Sequence, residues 1–274
     1  MKKFILPAVL IIAAIMYSCD SNTADSIIDG GGDSGKVVKD YFPGGVGSNW
    51  TYAVGLSDSG STAYSNNATK AVTFKSVVTT DGADEINQEE AVVYNGNALP
   101  VSIVKMRRSD KGLYILIDTT GLAESIPDTV KQLLNEYLGS FQLNISTEVQ
   151  TLSVPFFSGQ TWKAFALNIS SGVIFSVDAI VVNASYAGTE NIDIQSETKQ
   201  AQKIKYTVIF RYPSESVIPF NEKSYDAFAW YVEGVGLAKF QGNALITNVL
   251  SGSEINLSDT NRVAVQTLTS YEIK

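Results

Sequence analysis

Histidine is absent from all 274 residues. That excludes a Ser-His-Asp triad, a Cys-His dyad and any zinc centre built on imidazole. Cysteine occurs once, at Cys19, so no disulfide forms within the chain and no thiolate cluster holds a metal. A metal here would be a hard cation on oxygen ligands, and no cofactor is expected. Basic residues are outnumbered, 20 Lys+Arg against 28 Asp+Glu, for a formal net charge of −8. Nucleic acid is therefore not an expected partner, because phosphate backbones call for a basic surface. Long apolar runs are also missing apart from Phe4 to Ile15, which Pro7 interrupts. That run falls short of the roughly 20 residues a membrane-spanning helix needs.

What is present supports a packed protein. The chain is 45% hydrophobic, with 12 Phe, 13 Tyr and 3 Trp, which is too apolar for a disordered stalk. Its N-terminus reads as an export signal over residues 1–18: Met1-Lys2-Lys3, then the apolar run, then Met16-Tyr17-Ser18. A small residue directly before a lone cysteine is the mark of lipoprotein processing, although Met16 stands where leucine is usual. Cys19 is expected to carry lipid and to become the new N-terminus. Several acyl chains on that cysteine would hold the protein stably, where one would hold it marginally. The membrane is thus an expected partner through Cys19, and the cell envelope the expected location.

Residues 19–40 read as a tether rich in Ser, Asp and Gly, with Gly30-Gly31-Gly32-Asp33-Ser34-Gly35 at its centre. A flexible linker of this length spans roughly 25 Å on average. Gly30-x-Gly32-x-x-Gly35 matches a dinucleotide fingerprint in letters only, since no strand precedes it and no helix follows.

From Tyr41 to Lys274 the dominant hydrophobic period is two, which predicts a single β-rich domain. Ile204, Tyr206, Val208 and Phe210 share one face, with Lys203, Lys205, Thr207 and Arg211 opposite. Trp50 with Tyr52, and Val263 with Val265, repeat the pattern. Strands are expected at 70–79, 90–94, 101–108, 113–119, 162–169, 173–183, 228–232, 237–241 and 244–250. Gly234-Val235-Gly236 predicts a tight hairpin between two of them. One segment breaks the rule: Val130, Leu133, Leu134, Tyr137, Leu138 and Phe141 have helical spacing, so an amphipathic helix is expected to pack on the sheet. The expected fold is mainly β (α+β), a large curved antiparallel sheet, half-barrel or open barrel with that one main helix. Pro43-x-x-x-Gly47-x-x-Trp50 echoes as Pro155-x-x-x-Gly159-x-x-Trp162, which suggests either two related halves, 41–145 and 150–274, or one turn device used twice.

No catalytic constellation emerges. Ser102 and Lys105 fall on an expected strand, where positions i and i+3 face opposite sides. Asp81, Asp84, Glu85, Glu89 and Glu90 surround Gly82 and read as a solvated acidic hairpin loop, with a weak calcium site as the other reading. Trp50, Trp162, Trp230, Tyr206 and Phe210 are core aromatics or the lining of a ligand surface.

The opening Tyr41-Phe42-Pro43 … Gly47-Ser48-Asn49-Trp50-Thr51-Tyr52 resembles that of a broad group of uncharacterised bacterial lipoproteins. So does Trp230-Tyr231 … Gly234-Val235-Gly236 … Lys239, and Leu268-Thr269-Ser270-Tyr271 fits their last strand. The resemblance implies a secreted, lipid-anchored, β-rich domain without assigned chemistry, placed at the outer membrane. The architecture is similar to that of outer-membrane lipoprotein carriers, an analogy of fold that does not carry function. The expected role is non-enzymatic: binding or carrying an apolar or envelope-derived ligand. An interaction module for an envelope protein, with no small ligand, is the alternative.

Overall fold

The computed structural model describes residues 36–57, 65–118, 142–171, 175–213, 220–243 and 263–274. Cys19, the Gly-rich part of the tether, the helix expected over Val130–Phe141 and the strand expected at 244–250 lie outside these residues.

The first part of the chain gives β1 (Asn49–Ser57), β2 (Ser65–Thr80), β3 (Ala83–Tyr94), β4 (Asn97–Ala98), β5 (Ser102–Arg108) and β6 (Gly112–Leu116). Then come β7 (Gln142–Ile145), β8 (Glu148–Ser153), β9 (Thr161–Ser171) and β10 (Phe175–Ile194). The series ends with β11 (Glu197–Pro213), β12 (Phe220–Val232), β13 (Gly236–Asn243) and β14 (Val263–Glu272). All fourteen belong to one open antiparallel sheet, in the order β7-β9-β10-β11-β12-β13-β14-β1-β2-β3-β5-β6-β8, with β4 attached to β3. Mainly β is therefore the class. Among the described residues the only helix is a single turn, α1 (Val38–Tyr41).

Alternation explains why these segments are strands. On β11, Ile204, Tyr206 and Val208 are buried, while Lys203 and Lys205 project outward to Glu190 and Asp226. Each fully buried aliphatic side chain contributes roughly 1.5–3 kcal/mol relative to exposure. β10 and β11 run longer than their apolar stretches predict, because the hairpin turns only at Gln195-Ser196, both at positive φ.

The two ends of the sheet are parts of one run, 142–153. Its first half pairs with β9 and its second half with β6. β8 and β9 thus lie side by side without a ladder. The carbonyls along the free edge of β8 take side-chain donors instead. Trp162 Nε1 donates to Gln150 O at 2.9 Å, the Tyr206 hydroxyl donates to Thr151 O, and Gln160 Nε2 donates to Ser153 O at 3.4 Å. An open edge invites unwanted pairing, and these donors cover it.

The N-terminal segment closes one end of the roll. Val38 is fully buried. Val38 N–H donates to Asp110 O at 2.9 Å, and Asp40 O accepts from Gly234 N–H at 2.7 Å. Phe42 stacks near Trp50 and Phe74, and Tyr41 meets Phe156 edge-on. Arg108, 3% exposed, donates to Phe42 O at 2.6 Å and Gly44 O at 3.1 Å, and grips Asp84 Oδ2 at 2.6 Å.

The sequence echo takes the same local conformation at both places. Ser48 N–H closes a turn on Gly45 O, and Gln160 N–H closes one on Phe157 O. Gly47 (φ 89°) and Gly159 (φ 82°) take the left-handed position in these turns, and a strand with its Trp follows each. Ser48 O then accepts from Phe74 N–H, as Gln160 O does from Tyr186 N–H. The acidic loop, by contrast, is corrected. Only Asp81 and Gly82 form the turn, and Asp84, Glu85, Glu89 and Glu90 all lie on β3. Cross-strand partners on β2 and β5 draw three of these carboxylates into the ladder: Lys75 to Glu89, Lys70 to Glu90 and Arg108 to Asp84.

Candidate functional site

Two places stand out, one inside the roll and one on its wall. Inside, Tyr52 from β1, Tyr206 from β11 and Tyr231 from β12 are all buried. Their strands point alternate residues inward, so the aromatic bodies fill the core and the hydroxyls cross it. Tyr52 O–H donates to Leu237 O at 3.0 Å, beside the irregularity where Tyr231 pairs with Leu237 and Trp230 with Lys239. Tyr231 is hydrogen-bonded with Tyr206 and Thr151, and Thr151 Oγ1 donates to Leu113 O at 3.2 Å. Burial pushes all three phenols up, and for Tyr52 the Glu90 charge and Tyr231 add to this. Such phenols stay neutral at ordinary pH. Tyr52 and Tyr206 donate to backbone carbonyls and so clamp them.

Beside them lies a buried ion pair. Lys70 Nζ is 2.6 Å from Glu90 Oε2, with side chains only 8% and 6% exposed. Gln88 Nε2 donates to Glu90 Oε1 at 2.8 Å. Among the described residues Oε2 has no aligned hydrogen-bond donor, so the Lys70 ammonium is its charge partner. Burying two charges is costly unless both are well paired, so this is an unusual feature for an apolar interior. Sequence reasoning missed it. The signal was there: Lys70 precedes Val72 and Phe74 on the inward parity, and Glu90 follows Ile86 and Gln88.

On the wall, β3 and β5 present an apolar outer face. Val93 is 42% exposed, Val101 56% and Ile103 54%. Ile103 pairs with Glu89, so Ile103 shares a face with Ala91 and Val93, and Val101, directly ahead of β5, is exposed as well. Leu99, 45% exposed, sits at the rim and donates its N–H to Val92 O.

The five aromatics singled out from sequence do not converge on one site. Trp50 is in the core, its Nε1 donating to Val235 O at 2.7 Å. Trp162 is half-buried at the β8 edge. Trp230 packs on the opposite parity from Tyr231, beneath the ammonium groups of Lys203 and Lys239 at 4.9 and 4.6 Å. Tyr206 belongs to the interior cluster, and Phe210 meets Tyr225 edge-on at 5.7 Å. Ser102 and Lys105 lie on β5, as expected, three residues apart on opposite faces. Among the described residues no group of three or more His, Cys, Asp or Glu side chains is placed to hold a metal.

No protein-family model matches the chain, and no curated protein matches it. Three solved structures resemble it. One is a candidate lipoprotein from Parabacteroides distasonis ATCC 8503, with a TM-score of 0.47 and 12% identity over 85% of this chain and 98% of that one. Another is a candidate exported protein with a YmcC-like fold from Bacteroides fragilis NCTC 9343, with a TM-score of 0.47 and 11% identity over the same shares. The third is the hypothetical lipoprotein YmcC of Escherichia coli (K12), with a TM-score of 0.29 and 12% identity over 81% of this chain and 84% of that one.

Proposed function

We propose that the protein is an exported lipoprotein, held to the outer membrane through Cys19, whose rolled sheet is a non-enzymatic interaction module. The anchor reading rests on Cys19 directly after the export signal. The interaction reading rests on one observation: the large apolar side chains of Val93, Val101 and Ile103 are exposed on the β3–β5 part of the roll. Exposed apolar side chains gathered into a patch are a feature of contact surfaces. Meanwhile Trp50, Tyr52 and Tyr206 cross the interior to reach Val235, Leu237 and Thr151.

A second reading, the carrier of an apolar or envelope-derived ligand, draws on the Lys70–Glu90 pair. A buried charge pair facing the interior suits the polar head of an otherwise apolar molecule.

The test is a photo-crosslinker at position 101 of the full chain in cells, with and without Ile103→Lys. One discrete adduct, lost in the variant, supports the module; no adduct sinks it. Native mass spectrometry of the same detergent-extracted chain tests the carrier, which a reproducible apolar bound mass would revive. Cys19→Ser is expected to move the protein from the outer-membrane fraction to the soluble fraction, and retention there would overturn the anchor.

A further inference from the structure

β5 is paired in full on one side only. Ser102–Arg108 pair with Asp84–Glu90 of β3 along their whole length. On the other side, β6 pairs only with Met106–Arg108. β6 then follows β8 instead: Leu116 pairs with Glu148, and Ile117 N–H donates to Thr147 O at 2.8 Å. Among the described residues, no strand lies against the second edge of Ser102–Lys105.

Edges of this kind are ordinarily blunted. Pro100 stands two residues ahead of β5 and β6 pairs from Met106, which leaves four residues of the strand, Ser102–Lys105. Val101 and Ile103, each more than half exposed, flank and occupy it. Lys105 faces outward opposite Asn87 and forms no ion pair among the described residues, whereas the neighbouring Lys75 and Glu89 pair with each other.

We infer that the Ser102–Lys105 edge accepts an extended segment of a partner protein by strand addition. The segment alternates apolar residues beside Val101 and Ile103 and carries an acidic residue opposite Lys105. This rests on the interaction-module reading and specifies how the partner is held. The apolar patch alone would accept a helix face or an acyl chain equally well. The open backbone row discriminates, because only an extended peptide about 4.8 Å away presents matching N–H and C=O groups. The exposed Val and Ile set the alternation of the partner's side chains, and the Lys105 ammonium sets the sign of its charge.

The experiment uses the full chain in detergent and a synthetic eight-residue probe alternating valine and threonine, with one central glutamate. A second probe is N-methylated at alternate amides and lacks those donors. The parent probe is expected to bind, to slow hydrogen exchange at 102–105, and to lose about tenfold in affinity, some 1.4 kcal/mol, on N-methylation. Lys105→Glu is expected to weaken binding several-fold, and a probe with lysine in place of glutamate to restore it. Equal binding of the methylated probe overturns strand addition and leaves the contact surface standing. Slow exchange at 102–105 in the isolated monomer shows the edge already covered and overturns it as well. Protection that depends on protein concentration, without probe, makes a second copy the occupant and overturns the heterologous partner. Failure of both probes, joined to an unchanged crosslink in Ile103→Lys, sinks the inference and the module together.

Discussion

The Tyr206 hydroxyl donates to the carbonyl oxygen of Thr151, joining β11 to the free edge of β8 across the core of the roll. The two residues are 55 apart in sequence, and no ladder connects their strands. This hydrogen bond and those of Trp162 and Gln160 do at one seam what backbone pairing does elsewhere.

Tyr206→Phe removes the donor and leaves Thr151 O unsatisfied in the interior. The expected cost is about 1–3 kcal/mol in chemical denaturation. A loss under a few tenths would mean that another donor takes its place.

The Lys70–Glu90 pair makes a sharper forecast. Glu90→Leu alone strands a buried ammonium and is expected to cost about 3–5 kcal/mol, as is Lys70→Met alone. The double variant should recover most of that loss, measured as a double-mutant cycle. Additive losses would show that the two charges are not coupled.

Arg108 fastens the N-terminal segment. Arg108→Met is expected to destabilise by about 3 kcal/mol or more, since Asp84 loses its charge partner in a partly buried site. Hydrogen exchange should rise first at residues 38–45. Exchange rising uniformly instead would contradict the idea of a local fastening.

Asp84 also carries a pH dependence. Burial pushes its carboxyl up, but hydrogen bonds from Thr79 and Arg108 and the Arg108 charge outweigh it and hold the carboxyl below its usual range. With the folded value depressed, its contribution is complete above the ordinary aspartate value near 4 and is lost as pH falls through the lower folded value. The difference in stability between wild type and Asp84→Asn should therefore shrink on acidification below about pH 4. A constant difference would refute the assignment.

The repeated turn device predicts matched penalties. A Cβ at Gly159 meets nothing within 4 Å, and one at Gly47 meets Lys274 Cδ at an ordinary 3.4 Å. Only backbone strain remains, so alanine at either position is expected to cost about 1–2 kcal/mol. Strongly unequal losses would mean that the two turns are alike in sequence only.

Much of the sheet was legible because alternation is local. The segment from Lys203 to Arg211 carries its inward and outward faces in its own letters, and Gly234-Val235-Gly236 marks its own hairpin. The acidic run was misread because its partners are not local. Glu90 belongs with Lys70 across one ladder and Asp84 with Arg108 across another, so the charges looked solvated when read in order. The aromatics were seen as apolar bodies, yet Trp50, Trp162 and Tyr206 are placed by their single polar atoms, whose carbonyl partners exist only once irregular edges have formed. α1 is one turn long and too short to show a period. It is held by backbone hydrogen bonds with Asp110 and Gly234, and Arg108 grips the carbonyls of Phe42 and Gly44 just after it, none of which its own sequence announces.

The seam between β8 and β9 differs in kind from the one between β14 and β1. The second is a continuous ladder from Asn49 to Ser57, irregular only at Thr51/Tyr52. The first is fastened by separate side chains that two strands, β9 and β11, and the 154–160 connection contribute. A ladder yields cooperatively, whereas separate fastenings release one at a time. Under load or partial denaturation the roll therefore has a built-in line of parting along β8, which stops at Ser146, where the same run is laddered to β9.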